Sequence, residues 1–151
     1  SDLNHITKER TENEGVAIKP ILEEFNNQMK SSDVIIGHNL EFDLNVVQYE
    51  CKRHNIHFAY HDIVDKNKFY CTQKEGTKLC KIVRTNRIGK YYKYPKLEEL
   101  HHYLFGENVR DLHNAYNDTI VCLRCYMFMN YKIDLIQKNE EIKSIYSKLL
   151  F

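Results

Sequence analysis

The segment His113-Asn114-Ala115-Tyr116-Asn117-Asp118 places an imidazole and a carboxylate five positions apart, just ahead of the apolar run "TIVCLRCYMFM". Residues five apart on a helix point about 140° away from each other, so two helical side chains with this spacing do not serve one site. The pair can act together only if His113 precedes the helix while Asp118 belongs to its start. Histidine then supplies a base near neutral pH, and a carboxylate supplies oxygen for a hard cation. A second polar group, His38, Asn39 and Asp43, follows the short apolar run Val34-Ile35-Ile36 and its stop at Gly37. Brief strands in α/β folds deliver polar residues at their carboxyl ends, where sites form. Taken alone, Asp43 reads equally as a carboxylate favoured by a helix N-terminus, and Asp111 and Asn114 as caps. A chain with eight histidines also places several by chance.

The elements that must hold these residues are legible from periodicity. Thr11-x-x-Glu14 has the form of a capping box leading into a helix with Ile18, Ile21, Leu22, Phe25 and Met29 on one face, provided Pro20 falls in its first turn. Val34 to Ile36 reads as a strand buried on both faces of a parallel sheet. A helix follows, with Leu44, Val47 and Cys51 recurring at three and four and Lys52 and Arg53 near its end. A second strand is expected around Phe69-Tyr70-Cys71-Thr72, then a helix or loop, and after that a basic, tyrosine-rich loop, "RTNRIGKYYKYPK". A short helix from Leu97 to Leu104 stops at Gly106. The last core helix starts near His113 or Asn114 and runs to Tyr131, and Ile142, Ile145 and Leu149 mark a final amphipathic helix docked on the surface or on a partner. Strands alternating with helices give an α/β layered fold.

Composition narrows the class. A chain of 151 residues with 42% hydrophobic content can bury one core, so one domain is expected. Twenty-two Lys and Arg against 21 Asp and Glu announce no overall basic field, although a near-neutral total can hide a local positive groove. Five cysteines, an odd number without an apolar leader, point to reduced thiols in a cytoplasmic protein, and no apolar stretch is long enough to span a bilayer.

"GHNLEFD" (37–43) and "HNAYND" (113–118) resemble the second and third motifs of the DnaQ-like (DEDDh) 3′–5′ exonucleases, the family of polymerase proofreading subunits. "LNHITKE", "FYCTQK" and "YPKLEELHHYLFGE" fall in the order and spacing of that family, so the resemblance covers the chain up to Tyr131. It implies an α/β, RNase H-like three-layer fold over 1–131, with 132–151 a C-terminal helical extension. It also implies hydrolysis at the 3′ end of single-stranded DNA or RNA, with DNA ahead of RNA, and a possible polymerase partner. Two divalent ions, Mg²⁺ or Mn²⁺, would serve the reaction. On this resemblance Asp43 and Asp118 hold metal, His113 is the general base toward the attacking water, and Asn39, Ile6 and Thr7 line the terminal nucleotide. Phe42 is expected in the core, and a plain turn at Ile6 and Thr7 is the competing reading.

The family's first motif, Asp-x-Glu, does not occur in the chain. The chain therefore reads as a family member without its first three strands, with a metal site short of two carboxylates and a strand edge at Val34 to Ile36 left to pair elsewhere. The rival is a catalytically silent module of the same fold that binds nucleic acid or a polymerase, with Lys90, Lys93, Lys96, Tyr91, Tyr92 and Tyr94 meeting phosphates and bases. A zinc reading of Cys122-x-x-Cys125 with His101 and His102 is weaker, because both thiols lie in an apolar helical run.

Overall fold

The computed structural model describes residues 6–110, 112 and 114–149. Among them are eight α-helices, α1 (Lys8–Glu14), α2 (Ile18–Ser31), α3 (Leu40–Arg53), α4 (Tyr60–Ile63), α5 (Thr72–Cys80), α6 (Leu97–Phe105), α7 (Ala115–Tyr131) and α8 (Glu140–Leu149). Four strands, β1 (Ile35–Gly37), β2 (Phe69–Cys71), β3 (Val83–Asn86) and β4 (Gly89–Tyr92), form two separate two-stranded sheets, β1 with β2 and β3 with β4. The architecture is α/β. The described residues fall into two compact units, one within Ser1–Ile35 and Leu40–Tyr70, the other within Ile36–Asn39 and Cys71–Phe151.

The first unit is organised by α2 and α3. Leu22 and Met29 of α2 and Cys51 of α3 are buried with Phe58, Ala59 and Ile63, and Leu44 and Val47 pack against them. This is the helical face that periodicity predicts for α3. Phe42 departs from expectation: it is 62% exposed, because it projects away from the Leu44–Val47–Cys51 stripe that faces the core. Asn26 is buried on α2, donating through Nδ2 to the His57 carbonyl (3.0 Å) while its Oδ1 accepts from Ala59 N (2.8 Å). One amide thereby satisfies two backbone groups of the segment that follows α3. The Lys68 ammonium donates to the Ser32 and Lys30 carbonyls at the α2 C-terminus, where a cation meets the negative end of the helix dipole.

The capping box at Thr11 does not form. Thr7 caps α1 by accepting from Arg10 N (3.1 Å), and Thr11 lies inside the helix with its hydroxyl bonded back to the Thr7 carbonyl (3.0 Å). A threonine hydroxyl bonds the carbonyl four residues earlier once its own backbone is helical, so it is not available as a cap. Pro20 does fall in the first turn of α2. The residues of β1 are half-buried and not enclosed on both faces. Its sheet holds two strands among the described residues, so less of it is covered than a doubly layered parallel sheet would be.

In the second unit Leu100 of α6, Val121 and Cys125 of α7, and Tyr146 and Leu149 of α8 form one core. The final amphipathic helix is thus a core element of this unit. Gly76 lets α5 approach α6, since a Cβ at this position would stand 2.9 Å from Leu100 Cδ1. Gly106 ends α6 in the left-handed conformation (φ 70°), as the sequence predicts. At the centre lies Arg124, 1% exposed, whose guanidinium donates to both oxygens of Asp134 (2.8 and 2.9 Å), to Glu107 (2.8 Å) and to His101 Nε2 (3.0 Å). The Phe105 and Tyr146 rings flank it at 3.8 and 4.7 Å. Burial alone would lower the Arg124 pKa, but the two carboxylates outweigh it and raise the value.

His101 is held in one tautomer. Its Nε2 accepts from Arg124, so the ring hydrogen sits on Nδ1 and donates to the Glu107 carbonyl (3.2 Å). Burial, reinforced by the Arg124 charge, lowers its pKa. Such a histidine supports folding above its unfolded value near 6.5 and opposes it as pH falls below, because the unfolded chain takes the proton first. The urea midpoint should therefore drop between pH 7.5 and 5.5, and His101→Asn should flatten that dependence; an equally steep variant profile would refute the assignment. Arg124→Ala should cost about 3 kcal/mol in the same measurement, at the low end for breaking a buried pair. The low end applies because Glu107 is 37% exposed and can rehydrate, whereas Asp134 at 13% cannot do so fully.

Candidate functional site

Asp118 sits in the first turn of α7, where the helix dipole favours a carboxylate. Asn114 is the N-cap, its side chain accepting from Tyr116 N at 3.0 Å, and Asp118 N donates to the Asn114 carbonyl at 2.9 Å. One of the two residues that could be caps is therefore a cap. Since α7 begins at Ala115, residue 113 precedes the helix in sequence; His113 itself, like Asp111, lies outside the described residues.

His38 has a place in the second unit that sequence spacing could not reveal. Its Nε2 lies 3.0 Å from the Pro95 carbonyl, which only accepts, so Nε2 carries a hydrogen. Its Nδ1 lies 3.0 Å from the hydroxyl of Thr72, which donates to the Gly37 carbonyl at 3.1 Å and lies 3.4 Å from Cys122 Sγ. In the neutral ring, Nδ1 and the Gly37 carbonyl compete for one hydroxyl proton. Protonating Nδ1 would relieve that competition, and the Pro95 carbonyl and the Asp118 charge favour it. Burial is the larger influence and lowers the pKa, keeping the ring neutral. The partners are 34 and 57 positions away in sequence, beyond any local pattern.

In the first unit Asp43 stands in the first turn of α3. It keeps contact with solvent, yet partial burial of its carboxyl raises its pKa. A cation beside that oxygen would offset the desolvation. Asn39 adopts a left-handed backbone (φ 71°) between β1 and α3, a conformation asparagine tolerates better than most residues. Thr7 spends its hydroxyl capping α1, and Ile6 is 48% exposed. Asp43 and Asp118 are thus both placed at helix starts, each in its own unit. Among the described residues no three His, Cys, Asp or Glu side chains form a group that could hold a metal ion. Asp43 and Asp118 are each hard oxygen donors of the type Mg²⁺ prefers.

A cavity of about 540 Å³ in the second unit is lined by Cys80, Ile82, Glu99, His102, Tyr103 and Val109, among others. Burial and the Glu99 charge raise the Cys80 pKa, so the sulfur stays a thiol and offers no nucleophile. Glu99 is neutralised by Lys93 (2.5 Å), and no helix among the described residues is long and apolar enough to cross a membrane.

A family model described as an exonuclease domain (RNase_T) matches residues 1–126. No curated protein and no solved structure matches the chain. The matched span takes in both "GHNLEFD" and "HNAYND".

The raised pKa of Asp43 has a direct consequence. A carboxyl whose folded pKa exceeds its unfolded value supports folding only at low pH, and that support is lost as pH rises through the folded pKa. At pH 7 Asp43→Asn should leave Tm unchanged or raise it, as removing a charge held at a stability cost does. A clear fall in Tm in differential scanning calorimetry would sink this reading.

Proposed function

The chain belongs to the exonuclease family, whose DnaQ-like (DEDDh) members its motifs resemble, and on that premise we propose that it is a metal-dependent 3′–5′ exonuclease. Membership implies a nuclease that hydrolyses phosphodiester bonds in nucleic acid. The reading carried further is an RNase H-like domain over 1–131 with a helical extension at 132–151. It would remove nucleotides from a single-stranded 3′ end in a proofreading-like reaction, DNA ahead of RNA, in the cytoplasm and in company with a polymerase. The observation that supports it is the family match through 1–126, which includes Asp43, His113 and Asp118 together.

The roles follow from chemistry. His113 takes the proton from the attacking water, a task suited to an imidazole near neutral pH. Asp43 and Asp118 provide anionic oxygen, and the raised pKa of Asp43 fits a carboxylate that a cation would stabilise. A divalent ion held there would lower the pKa of bound water and offset charge on the leaving 3′ oxygen. Asn39, with Ile6 and Thr7, would orient the terminal nucleotide.

One observation favours a second reading, a silent module that binds nucleic acid or a polymerase. Lys90, Tyr91 and Tyr92 are exposed, a cation and rings that can hold nucleic acid without any catalysis. A 5′-labelled single strand incubated with the chain and Mn²⁺ distinguishes the two. The exonuclease reading expects a ladder shortened from the 3′ end, abolished by chelator and slowed at least about 100-fold by His113→Ala. Binding without any shortening would establish the silent module instead.

A further inference from the structure

Residues 81–96, a basic and tyrosine-rich loop by sequence, fold as the β3–β4 hairpin with its flanks. The register pairs Val83 with Tyr92, Arg84 with Tyr91, Thr85 with Lys90 and Asn86 with Gly89. Arg87 and Ile88 form the two-residue tip, and Asn86 Oδ1 accepts from Ile88 N (2.9 Å) and Gly89 N (3.1 Å), closing the turn from its own side chain. Gly89, at φ 141°, takes a conformation that L side chains rarely adopt. The base is tied down where Lys93 N donates to the Ile82 carbonyl (2.9 Å) and the Lys93 ammonium pairs with Glu99.

Beyond that base no described residue buries the hairpin. Every residue of β3 and β4 is exposed, and Ile88 at the tip is 97% exposed. A two-stranded hairpin without a buried face is marginal by itself, so folding stability does not account for this one. Its charge is also unlike the rest of the chain. Residues 81–96 hold six Lys and Arg and no acid, while the remainder holds sixteen Lys and Arg against all 21 Asp and Glu. The structure sorts these cations. Lys93 and Lys96 pair with Glu99 and Glu98, whereas Arg84, Arg87 and Lys90 form no ion pair with any described residue.

Cross-strand partners share a face, so one face presents Lys90 with Tyr92 and Val83, and the other presents Arg84 beside Tyr91. Each face thus offers a cation for a phosphate next to an exposed aromatic ring for a base, the combination by which single strands are gripped without sequence preference. We propose that the β3–β4 hairpin is an arm that binds single-stranded nucleic acid, using Arg84, Arg87 and Lys90 for phosphates and Tyr91 and Tyr92 for stacking. The assignment rests on the exonuclease reading and adds to it a second binding element, made of residues other than Asp43, His113 and Asp118. An acidic protein surface would satisfy the cations but would not need the two rings.

Fluorescence anisotropy of a labelled oligothymidylate, titrated with the whole chain at several salt concentrations, tests the proposal. Arg84→Gln/Arg87→Gln/Lys90→Gln should weaken binding at least about tenfold at low salt, and should reduce the slope of log affinity against log salt by about 2, from three phosphate contacts at about 0.7 each. Tyr91→Ser/Tyr92→Ser should weaken oligonucleotide binding about tenfold while leaving the affinity for heparin, a polyanion without bases, unchanged. Oligonucleotide affinity and salt slope unchanged in the triple variant would overturn the arm while leaving the exonuclease reading intact. Tyrosine removal without effect on the oligonucleotide would overturn it in favour of an acidic protein partner. No binding by the parent chain would overturn both readings.

Discussion

Removing a guanidinium from water costs several kcal/mol, and Arg124 is 1% exposed. The second unit is arranged around meeting that cost. Asp134 follows α7 and lies in the segment leading to α8, Glu107 follows α6, and His101 lies on α6. Each of these elements has to be in place for the guanidinium to be satisfied, and the Phe105 and Tyr146 rings close over what remains. Because the guanidinium is planar and forked, its two-pronged contact with Asp134 fixes the orientation of the two groups. The register of α6, α7 and α8 is thereby held more narrowly than apolar packing alone would hold it.

That constraint reaches the candidate site through α7. The same helix carries Arg124 and Cys125 in its buried middle and Asp118 in its first turn. Burial pushes the Cys125 thiol up, so the interior of the helix presents a neutral thiol beside a paired cation. A helix anchored at its centre holds its first turn steady, and Asn114 completes that end by capping it. His38 adds a second restraint in this unit by binding the Pro95 carbonyl and lying against Thr72. In the other unit Asn26 does comparable work for α2 with neutral groups, and no charge has to be desolvated.

The β3–β4 hairpin contrasts with all of this. Its conformation is set locally, by the Asn86 side chain and Gly89 at the turn, and among the described residues no core holds it beyond its base. Its sequence shows no alternation of apolar and polar residues, because neither face is buried; the period-two signal of a strand arises only when one face packs. A reading by hydrophobic pattern therefore sees a loop. The charge and the tyrosines were visible in the letters, but which lysines were already engaged was not.

Local physics made much of this chain legible without coordinates. The helices α2, α3, α7 and α8 follow from apolar spacing, α6 from its stop at Gly106, and the start of α7 from the asparagine that caps it. The two segments that carry Asp43, His113 and Asp118 also identify the family from sequence alone. Tertiary structure decided the rest. Thr11 lies inside α1 and does not cap the helix that carries Ile18, and Phe42 faces solvent, because each choice depends on where neighbouring backbone lies. Arg124 finds partners ten, 17 and 23 positions away, and His38 finds Pro95 57 positions away. A charge in a helix looks the same in sequence whether it meets water or a buried carboxylate, and only the folded chain brings the carboxylate to it.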